Sequence, residues 1–346
     1  MKKILLFIFI ILVSLESVYA VNIVSFGDSI PYGYLLKDEN NSYDNRIAQT
    51  LDADFYEYSA VGLTSYQLLD YLETGASDEN IKNADYIFIS IGSNDYLDLL
   101  FEIKIDGFEF DSSNDNYLNI KENFNFNNFF DSLKRSMTGE EFNNKARLAL
   151  ALIKETYPKI ISYIRNINSD AKIYVLNLYN PYFNLNNPII ELDYVSDICE
   201  KYISETNEFI ESSDEYTVIN AHNLLRNYKM LNVDLLSLNL DPHPNKNGHE
   251  TLYQAFLKEL TYKVEVYDAN DKSKIYYVLK GDKLEIQNPT KKGYKFVKWD
   301  KDLNNINSNL VVKPVFKKDY TIHIIVGVSL VVIIVLISIL RKRKRA

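Results

Sequence analysis

Between residues 21 and 261, short apolar runs alternate with longer stretches in which apolar residues recur every three or four positions. The short runs are rich in Ile, Val, Tyr and Phe and predict buried strands at 22–26, 55–59, 86–91, 172–178 and 216–220. The periodic stretches predict helices at 65–72, 140–167, 190–212 and 248–260. This alternation predicts one doubly wound α/β domain with a parallel sheet.

The longest predicted helix, 140–167, has the clearest repeat. Its apolar positions recur on one face, which we expect to pack against the sheet. The predicted face consists of Leu148, Leu152, Ile153, Ile160, Ile161 and Ile164.

Residues 97 to 139 interrupt the alternation of strand and helix. Phenylalanines lie there among many Asn, Asp and Glu residues: Phe108, Phe110, Phe124, Phe126, Phe129 and Phe130. A segment of this length without a regular pattern is either a surface insertion or a functional loop. Two interpretations therefore stay open, a surface insertion and a lid or wall over a substrate site.

A second pattern begins at residue 262 and ends at 318. Alternating residues predict strands at 262–267, 274–279 and 310–316, and the polar residues 268–271 predict a hairpin turn. The segment is thus predicted to be a small β-rich module. We expect its core to contain Tyr294, Phe296 and Trp299.

The N-terminal residues have the pattern of a signal peptide. Lys2 and Lys3 precede an apolar run at 4–13, and a small residue, Ala20, ends the polar region that follows. The apolar run is too short to span a bilayer comfortably. We therefore expect residues 1–20 to be a signal peptide.

The C-terminal residues predict a membrane anchor. Residues 322–340 hold a long uncharged apolar stretch, and five basic residues follow within 341–346. At about 1.5 Å per residue such a stretch covers roughly the 30 Å core of a bilayer. Because basic clusters stay in the cytoplasm, we expect an exported, single-pass protein with residues 21 to about 320 outside the membrane.

Charge and cysteine content exclude several classes of function. The net charge is −9 even though the C-terminal tail is basic, so nucleic acid is a poor partner. Cys199 is the single cysteine, which excludes a disulfide framework and a cysteine-based zinc site. We expect its thiol to be buried and inert. Asp268 and Asp271 lack the spacing of a calcium loop, so no metal or cofactor is predicted.

Residues suited to acyl transfer follow the predicted strands. Gly27-Asp28-Ser29 comes directly after the first strand, Gly62 follows the second and Asn94 the third. Asp241 and His243 precede the last helix. The carboxyl ends of parallel strands meet at one edge of the sheet, so we expect these groups to lie together. A serine, a base and several N–H donors are the set that acyl transfer needs.

Four neighbouring residues have simpler explanations. We expect Asp28 and Asp95 to accept hydrogen bonds from nearby backbone N–H groups. His222 ends the fifth predicted strand and is expected to be structural. His249 opens the last helix, where its ring can bond the backbone.

The four motifs resemble those of the SGNH/GDSL hydrolase family, in the family's order and over most of residues 21–261. Ser29, Gly62, Asn94 and His243 match its four blocks. The resemblance implies a flavodoxin-like α/β/α fold of three layers with a five-stranded parallel sheet, and ester hydrolysis without a metal or cofactor. It also implies that Ser29 is the nucleophile, that His243 is the base, and that Ser29, Gly62 and Asn94 donate to the oxyanion.

The chain departs from the family pattern beside the histidine. The family usually has Asp three residues before it, where this chain has Leu240, and the acid here is Asp241. Either Asp241 orients His243 with a shifted loop, or a backbone carbonyl does so. An orienting acid would hold the imidazole tautomer and stabilise the imidazolium.

Residues 262–318 resemble an internalin-type B repeat, particularly at 289–299 and in the strand that follows. Such a repeat implies a stalk, or contacts at the cell surface or with a host, and no catalytic role.

The sequence leaves three functions open. The first is a surface-anchored esterase or lipase-like acylhydrolase, and the second is a carbohydrate O-deacetylase acting on cell-wall or host glycans. An apolar trough beside the serine would favour fatty acyl chains, while a shallow polar cleft would favour acetylated sugars. The third is an adhesin that uses a hydrolase fold as a scaffold.

Overall fold

The computed structural model describes residues 20–101, 108–110, 118–120, 126–183, 193–233, 241–320, 326 and 328–337. The chain divides into two compact units with the boundary between Ala255 and Phe256. Each unit has its own sheets, and we describe them separately.

The first unit is built on a parallel sheet of five strands in the order β2-β1-β3-β6-β7. Its strands are β1 (Asn22–Gly27), β2 (Asp54–Ser59), β3 (Tyr86–Ser90), β6 (Lys172–Leu176) and β7 (Thr217–Ile219). A separate antiparallel pair comprises β4 (Phe108–Phe110) and β5 (Leu118–Ile120). The prediction of a parallel sheet is confirmed, because the central strands are continuous apolar runs that are buried on both faces.

Helices connect the parallel strands, as a doubly wound fold requires. In the described part of the chain they are α1 (Ser29–Tyr32), α2 (Tyr43–Leu51), α3 (Ser65–Glu73), α4 (Asp78–Asn83), α5 (Ser93–Phe101), α6 (Phe126–Thr138), α7 (Glu140–Ile167), α8 (Asp193–Glu211), α9 (Ala221–Leu224) and α10 (Lys246–Leu260). Short 3-10 helices occupy Glu39–Asn41 and Tyr228–Met230. The arrangement fits a three-layer α/β/α fold.

The bounds of α7 were predicted correctly, and four of the six residues assigned to its buried face are buried. Ile153, Ile160 and Ile164 are fully buried, whereas Leu148 is 70% and Leu152 is 38% exposed. The buried positions run 146, 149, 150, 153, 156, 157, 160, 161 and 164, which keeps the spacing of three and four residues. Leu148 and Leu152 lie on the neighbouring stripe, so their assignment to the packed face was wrong.

The difference in burial between Ile160 and Leu148 predicts that their substitutions lower the free energy of unfolding by different amounts. Ile160→Ala is expected to lower the free energy of unfolding by about 2–4 kcal/mol, because it leaves a cavity beside the sheet. Leu148→Ala is expected to change it by less than about 0.5 kcal/mol, since that side chain is already in water. Urea unfolding of the two variants measures both values, and equal losses would contradict the assignment of the faces.

The second unit contains a three-stranded sheet and a two-stranded ribbon. The sheet has the order β11-β8-β9 and the ribbon pairs β10 with β12. The strands are β8 (Thr261–Tyr267), β9 (Ser273–Leu279), β10 (Tyr294–Trp299), β11 (Leu310–Val312) and β12 (Pro314–Lys318). The module is therefore rich in β-structure, as predicted, although the strand expected at 310–316 is two separate strands. Its resemblance to an internalin-type repeat stays a prediction.

The β8–β9 turn is the hairpin that the sequence predicted. The Asp268 carboxylate accepts hydrogen bonds from the backbone N–H groups of Asn270 (2.7 Å) and Lys272 (3.0 Å). Asp271 adopts a φ of 61°, in the left-handed region that short polar residues tolerate. The Asp268 carboxylate and the backbone of Asp271 therefore shape a turn.

The core of this module differs from the prediction. It consists of Val264, Val266, Val278, Ile306 and Val312. Trp299 packs at the margin of that core, Phe296 is half-buried on the ribbon, and Tyr294 is 44% exposed. The expectation that these aromatic residues belong to the core was therefore wrong for Tyr294 and Phe296, whereas Trp299 packs against the core.

Two predicted segments fall largely or wholly outside the described residues. Residues 1–19, which hold nearly all of the predicted signal peptide, are among them, as are 338–346. Within the predicted anchor, residues 328–337 are helical. Among the described residues, no helix has the length and apolar character needed to cross a membrane.

Candidate active site

The turn between β1 and α1 fixes Ser29 at the carboxyl end of the sheet. A Cβ on Gly27 would overlap with the carbonyl oxygen of Ser90, so only glycine lets the chain pass there. The backbone N–H of Asp28 donates to that same carbonyl (3.1 Å), and the Asp28 carboxylate accepts from the N–H of Ile30 (3.0 Å). Asp28 thus caps α1, as predicted, and Ser29 is only 4% exposed.

His243 lies between Ser29 and Asp241. Its Nε2 is 2.8 Å from the Ser29 hydroxyl, and its Nδ1 is 2.9 Å from a carboxylate oxygen of Asp241. A carboxylate can only accept, so Nδ1 carries the proton and Nε2 is free to accept from the hydroxyl. The same Asp241 oxygen also accepts from the backbone N–H of His243 (2.8 Å). The Asp241 carboxylate therefore fixes both the tautomer of the ring and the conformation of the backbone at His243.

The loop that carries His243 is fastened to an earlier segment. The backbone N–H of Asn232 donates to the His243 carbonyl (2.9 Å), and that of Asn245 donates to the Met230 carbonyl (2.9 Å). The Asn245 side chain donates to the carbonyl of Leu231 (2.7 Å). These bonds hold the histidine loop against 230–232, although the residues between, 234–240, lie outside the described part of the chain.

Asn94 and Asp95 tie α5 to the loop that contains Gly62. The Asn94 amide donates to the Leu63 carbonyl (3.0 Å), which leaves one further N–H on that amide. The Asp95 carboxylate accepts from the backbone N–H of Ser65 (2.8 Å) and from its hydroxyl (2.7 Å), the supporting role that was predicted. Gly62 is exposed with a φ of 82°, a conformation that glycine adopts without strain.

Parallel pairing places these loops at one edge of the sheet. Gly27 pairs with Ser59 on β2 and with Ser90 on β3. The residues that follow these strands therefore emerge side by side. The fold brings Ser29, Gly62 and Asn94 to this edge, together with His243.

Two tyrosines that the sequence analysis did not single out support His243. The ring of Tyr34 meets the imidazole edge-on with centroids 4.9 Å apart. The hydroxyl of Tyr179 donates to the carbonyl of Pro242 (2.7 Å). Tyr179 follows the fourth predicted strand, so its position at a strand end was the signal that could have indicated it.

The other two histidines of the first unit are structural. His222 Nε2 lies 2.9 Å from a Glu200 carboxylate, in agreement with its predicted role. His249 is 1% exposed, and its Nδ1 accepts from the backbone N–H of Tyr43 (3.3 Å), not from its own helix as expected. Burial lowers the pKa of His249 to about 3, so this ring is neutral at physiological pH.

Asp28 is a buried acid directly beside the nucleophile. Burial raises its pKa to about 7, against the opposing effects of the Ile30 N–H and of His243. Within the described structure its second carboxylate oxygen has no hydrogen-bond partner. The group therefore changes charge near neutral pH, inside the site.

This shift predicts a pH dependence of stability. The folded-state pKa lies above the ordinary value of 3.8, so ionising Asp28 destabilises the fold progressively as the pH rises towards 7. Asp28→Asn keeps the acceptor for Ile30 and removes the charge. The variant is expected to gain about 2.5 kcal/mol relative to the parent protein between pH 5 and pH 8. Thermal unfolding at both pH values measures this gain, and exposed Asp214→Asn, the control, should show none.

An apolar trough, partly open to solvent, adjoins Ser29 and His243 and has a cavity volume of about 80 Å³. Its walls come from α5, the start of α7, α8 and the loop after β6. Besides Ser29 and His243 they comprise Ile30, Ser93, Tyr96, Leu97, Phe142, Leu178, Tyr179, Pro181, Tyr182, Ile198, Cys199, Tyr202, Ile203 and Pro242. In the ranges that the structure describes, no group of three or more His, Cys, Asp or Glu residues could hold a metal ion.

Comparison with known proteins identifies the family. The model of the GDSL-like Lipase/Acylhydrolase family matches residues 25–251, about two thirds of the chain. The chain belongs to the GDSL-like lipase/acylhydrolase family. The residues of the site, from Ser29 to His243, all lie inside the match to this GDSL-like family.

Individual proteins and solved structures that this GDSL-like chain resembles have low sequence identity to it. The uncharacterised protein YpmR of Bacillus subtilis (strain 168) is 24% identical over 238 residues, which is 67% of this chain and 77% of that protein. The lipase Lip_vut3 from a goat rumen metagenome is 19% identical, with 68% of this chain and 96% of that chain covered and a TM-score of 0.48. Phospholipase A1 from Streptomyces albidoflavus NA297 is 16% identical, covers 69% and 99%, and has a TM-score of 0.49.

Proposed function

We propose that the first unit is a serine esterase that cleaves carboxylic esters through an acyl-enzyme on Ser29. The observation that carries this proposal is the chain of contacts from the Ser29 hydroxyl through His243 to Asp241, at 2.8 and 2.9 Å. Membership of a lipase and acylhydrolase family supports the same reaction type.

The contacts suggest the order of proton transfers. His243 Nε2 takes the proton of Ser29 as its oxygen attacks the ester carbonyl, and Asp241 stabilises the imidazolium that forms. The N–H groups of Ser29 and Gly62 and the amide of Asn94 receive the oxyanion. His243 then protonates the leaving alkoxide, and a water molecule, activated by the same base, releases the acid.

Labelling with a fluorophosphonate tests this proposal on the full chain. The probe is expected to attach to Ser29, and Ser29→Ala should abolish labelling. Ser169→Ala, which removes an exposed serine between α7 and β6, should leave it unchanged. A folded chain that takes no label but still binds cells would point instead to an adhesin built on a hydrolase scaffold.

We also propose that the enzyme is exported and lies on the outer face of the cell membrane. The charged and apolar pattern of residues 1–20 supports export, and the apolar stretch 322–340 with the basic residues 341–346 supports a single-pass anchor. The β-rich module would then lie between the membrane and the hydrolase in sequence, where its resemblance to a surface repeat suits contacts at the cell surface or with a host.

A further inference from the structure

The ribbon of β10 and β12 has one aromatic face and one basic face. Phe296 lies opposite Phe316, and Trp299 meets the Phe296 ring edge-on with centroids 5.3 Å apart. Trp299 also packs against the core of the module, so the aromatic face is turned towards the protein. The other face carries Lys295 directly opposite Lys317, and both side chains are exposed.

The basic face consists of three lysines that acidic side chains do not neutralise. Lys298, which pairs with Val315, lies on the same face as Lys295 and Lys317. Within the described residues, none of these three lysines takes part in an ion pair. Like charges directly opposite each other destabilise a β-ribbon. The ribbon therefore keeps a pair of charges that folding alone disfavours, as expected where the pair binds an anion.

Protection of an exposed strand does not account for this arrangement. Charged side chains oppose the pairing of exposed strands with other molecules, and lysine is common in that role. Acidic side chains serve the same purpose, and opposite charges across the ribbon would serve it without repulsion. The uniform sign of the basic face thus calls for a further explanation.

The module also differs in charge from the hydrolase. Residues 261–320 contain 13 Lys, no Arg and eight Asp or Glu, which gives a net charge of +5. Residues 21–260 contain 18 Lys or Arg and 38 Asp or Glu, which gives −20. An anionic partner is therefore attracted to the module and repelled by the hydrolase.

Exposed apolar and aromatic side chains adjoin the basic face. Val297 lies where the register of the ribbon shifts, Val315 is paired with Lys298, and both are exposed. Tyr320, which is also exposed, follows the end of β12. Lysines beside exposed aliphatic and tyrosine side chains are typical of surfaces that lie among lipid headgroups. A soluble polyanion would match the lysines but would leave the two valines in water.

The place of the ribbon in the chain points to the same partner. β12 ends at Lys318, four residues before the apolar stretch 322–340. Four residues span at most about 14 Å, and a headgroup layer takes up about 6 Å of that distance. The Debye length at physiological ionic strength is about 8 Å. The end of β12 therefore stays within reach of the surface potential of the membrane that this stretch is proposed to cross.

We propose that the basic face of the ribbon binds the headgroups of anionic lipids and holds the module against the membrane surface. This inference rests on the proposed membrane anchor and not on the esterase activity. Each lysine near an anionic surface is expected to favour the bound state about fivefold. The exposed valines and Tyr320 add apolar contacts in the same layer.

The single tryptophan of the chain reports on the ribbon directly, because Trp299 ends β10. The full chain is reconstituted into vesicles of phosphatidylcholine, alone or mixed with phosphatidylglycerol, with the same small fraction of lipid carrying a nitroxide on its headgroup. Quenching of Trp299 fluorescence is expected to be several-fold stronger in the anionic vesicles. It should fall to the neutral level in about 1 M salt, where the Debye length is about 3 Å. Equal quenching in the two types of vesicle would overturn the proposal.

A double substitution tests the basic face itself. Lys295→Gln with Lys317→Gln is expected to lower the ratio of bound to free ribbon by about 25-fold and so to remove most of the additional quenching. The melting temperature should stay the same or rise, because the substitution relieves like charges across the ribbon. Lys263→Gln with Lys272→Gln removes as much charge from exposed positions on β8 and its turn and should keep the quenching. Equal losses in both double variants would contradict the assignment to the ribbon.

Flotation separates this proposal from the anchor on which it rests. The full chain should float with neutral vesicles, because an apolar anchor needs no anionic lipid. A chain that floats with anionic vesicles alone, and only with its ribbon lysines, would reject the anchor and retain the ribbon contact. If both types of vesicle quench Trp299 equally but dextran sulfate binds the chain through the same lysines, the partner is a soluble polyanion and the present proposal is wrong.

Discussion

Replacing either Ser29 or His243 by Ala is expected to lower kcat on an activated ester by about 10⁵-fold or more. The Ser29 oxygen is the attacking atom, and His243 Nε2, at 2.8 Å, is the base that takes its proton. Both residues act in the same step, so the two losses should not add. The double variant should be no slower than the slower single variant, which steady-state kinetics on nitrophenyl acetate measures.

The matched control for this experiment is Ser169→Ala, which should retain the full kcat. Thermal unfolding shows whether each variant is folded, since the exchanges remove little buried apolar area. A Ser29→Ala variant with more than about one per cent of the parent kcat would reject Ser29 as nucleophile. Losses that multiply in the double variant would mean that the two residues act in different steps.

Asp241→Asn is expected to lower kcat by about 10⁴-fold. The carboxylate at 2.9 Å from Nδ1 keeps the proton on that nitrogen, so that Nε2 can accept from Ser29. An amide N–H in its place would donate to Nδ1 and move the ring proton to Nε2, where it faces Ser29. The base would then be unable to take the serine proton, and the charge that stabilises the imidazolium would also be absent.

The same Asp241 oxygen accepts from Nδ1 and from the backbone N–H of His243, so an amide N–H in its place also removes the acceptor for the backbone bond. The variant is therefore expected to lose one hydrogen bond, which lowers the free energy of unfolding by about 1 kcal/mol, and thermal unfolding shows whether it is still folded. A kcat within about tenfold of the parent value would instead favour a backbone carbonyl as the group that orients His243. The measurement thus decides between the two alternatives that the sequence leaves open.

The sheet could be predicted from the sequence because buried parallel strands are continuous apolar runs. The five strands begin within one residue of their predicted positions, and α7 was predicted with its observed bounds, 140–167. The errors on α7 have a simple cause. Leu148 and Leu152 are apolar, but a helix of 28 residues has room for apolar side chains on more than one stripe, and only packing decides which stripe is buried.

Some features of the candidate site could likewise be predicted from the sequence, and others could not. The places of Ser29, Gly62 and Asn94 follow from strand ends, which the sequence reveals. The contact between Asp241 and His243 depends on the path of one loop, and residue spacing alone did not determine it. The trough could not be predicted, because its walls come from α5, α7 and α8, which are distant in sequence and meet only in the folded chain.

The position of β2 at the edge of the sheet has a consequence for handling the protein. An edge strand can pair with another molecule, and charged side chains along it oppose such pairing. Asp54 and Glu57 lie exposed on β2, and partial desolvation together with the nearby Asp44 carboxylate raises the pKa of Glu57 to about 7. In mildly acidic solution Glu57 is therefore neutral, and the strand keeps only one of its two negative charges. Aggregation by edge-to-edge pairing should consequently be slowest, and crystallisation most tractable, in buffers above neutral pH.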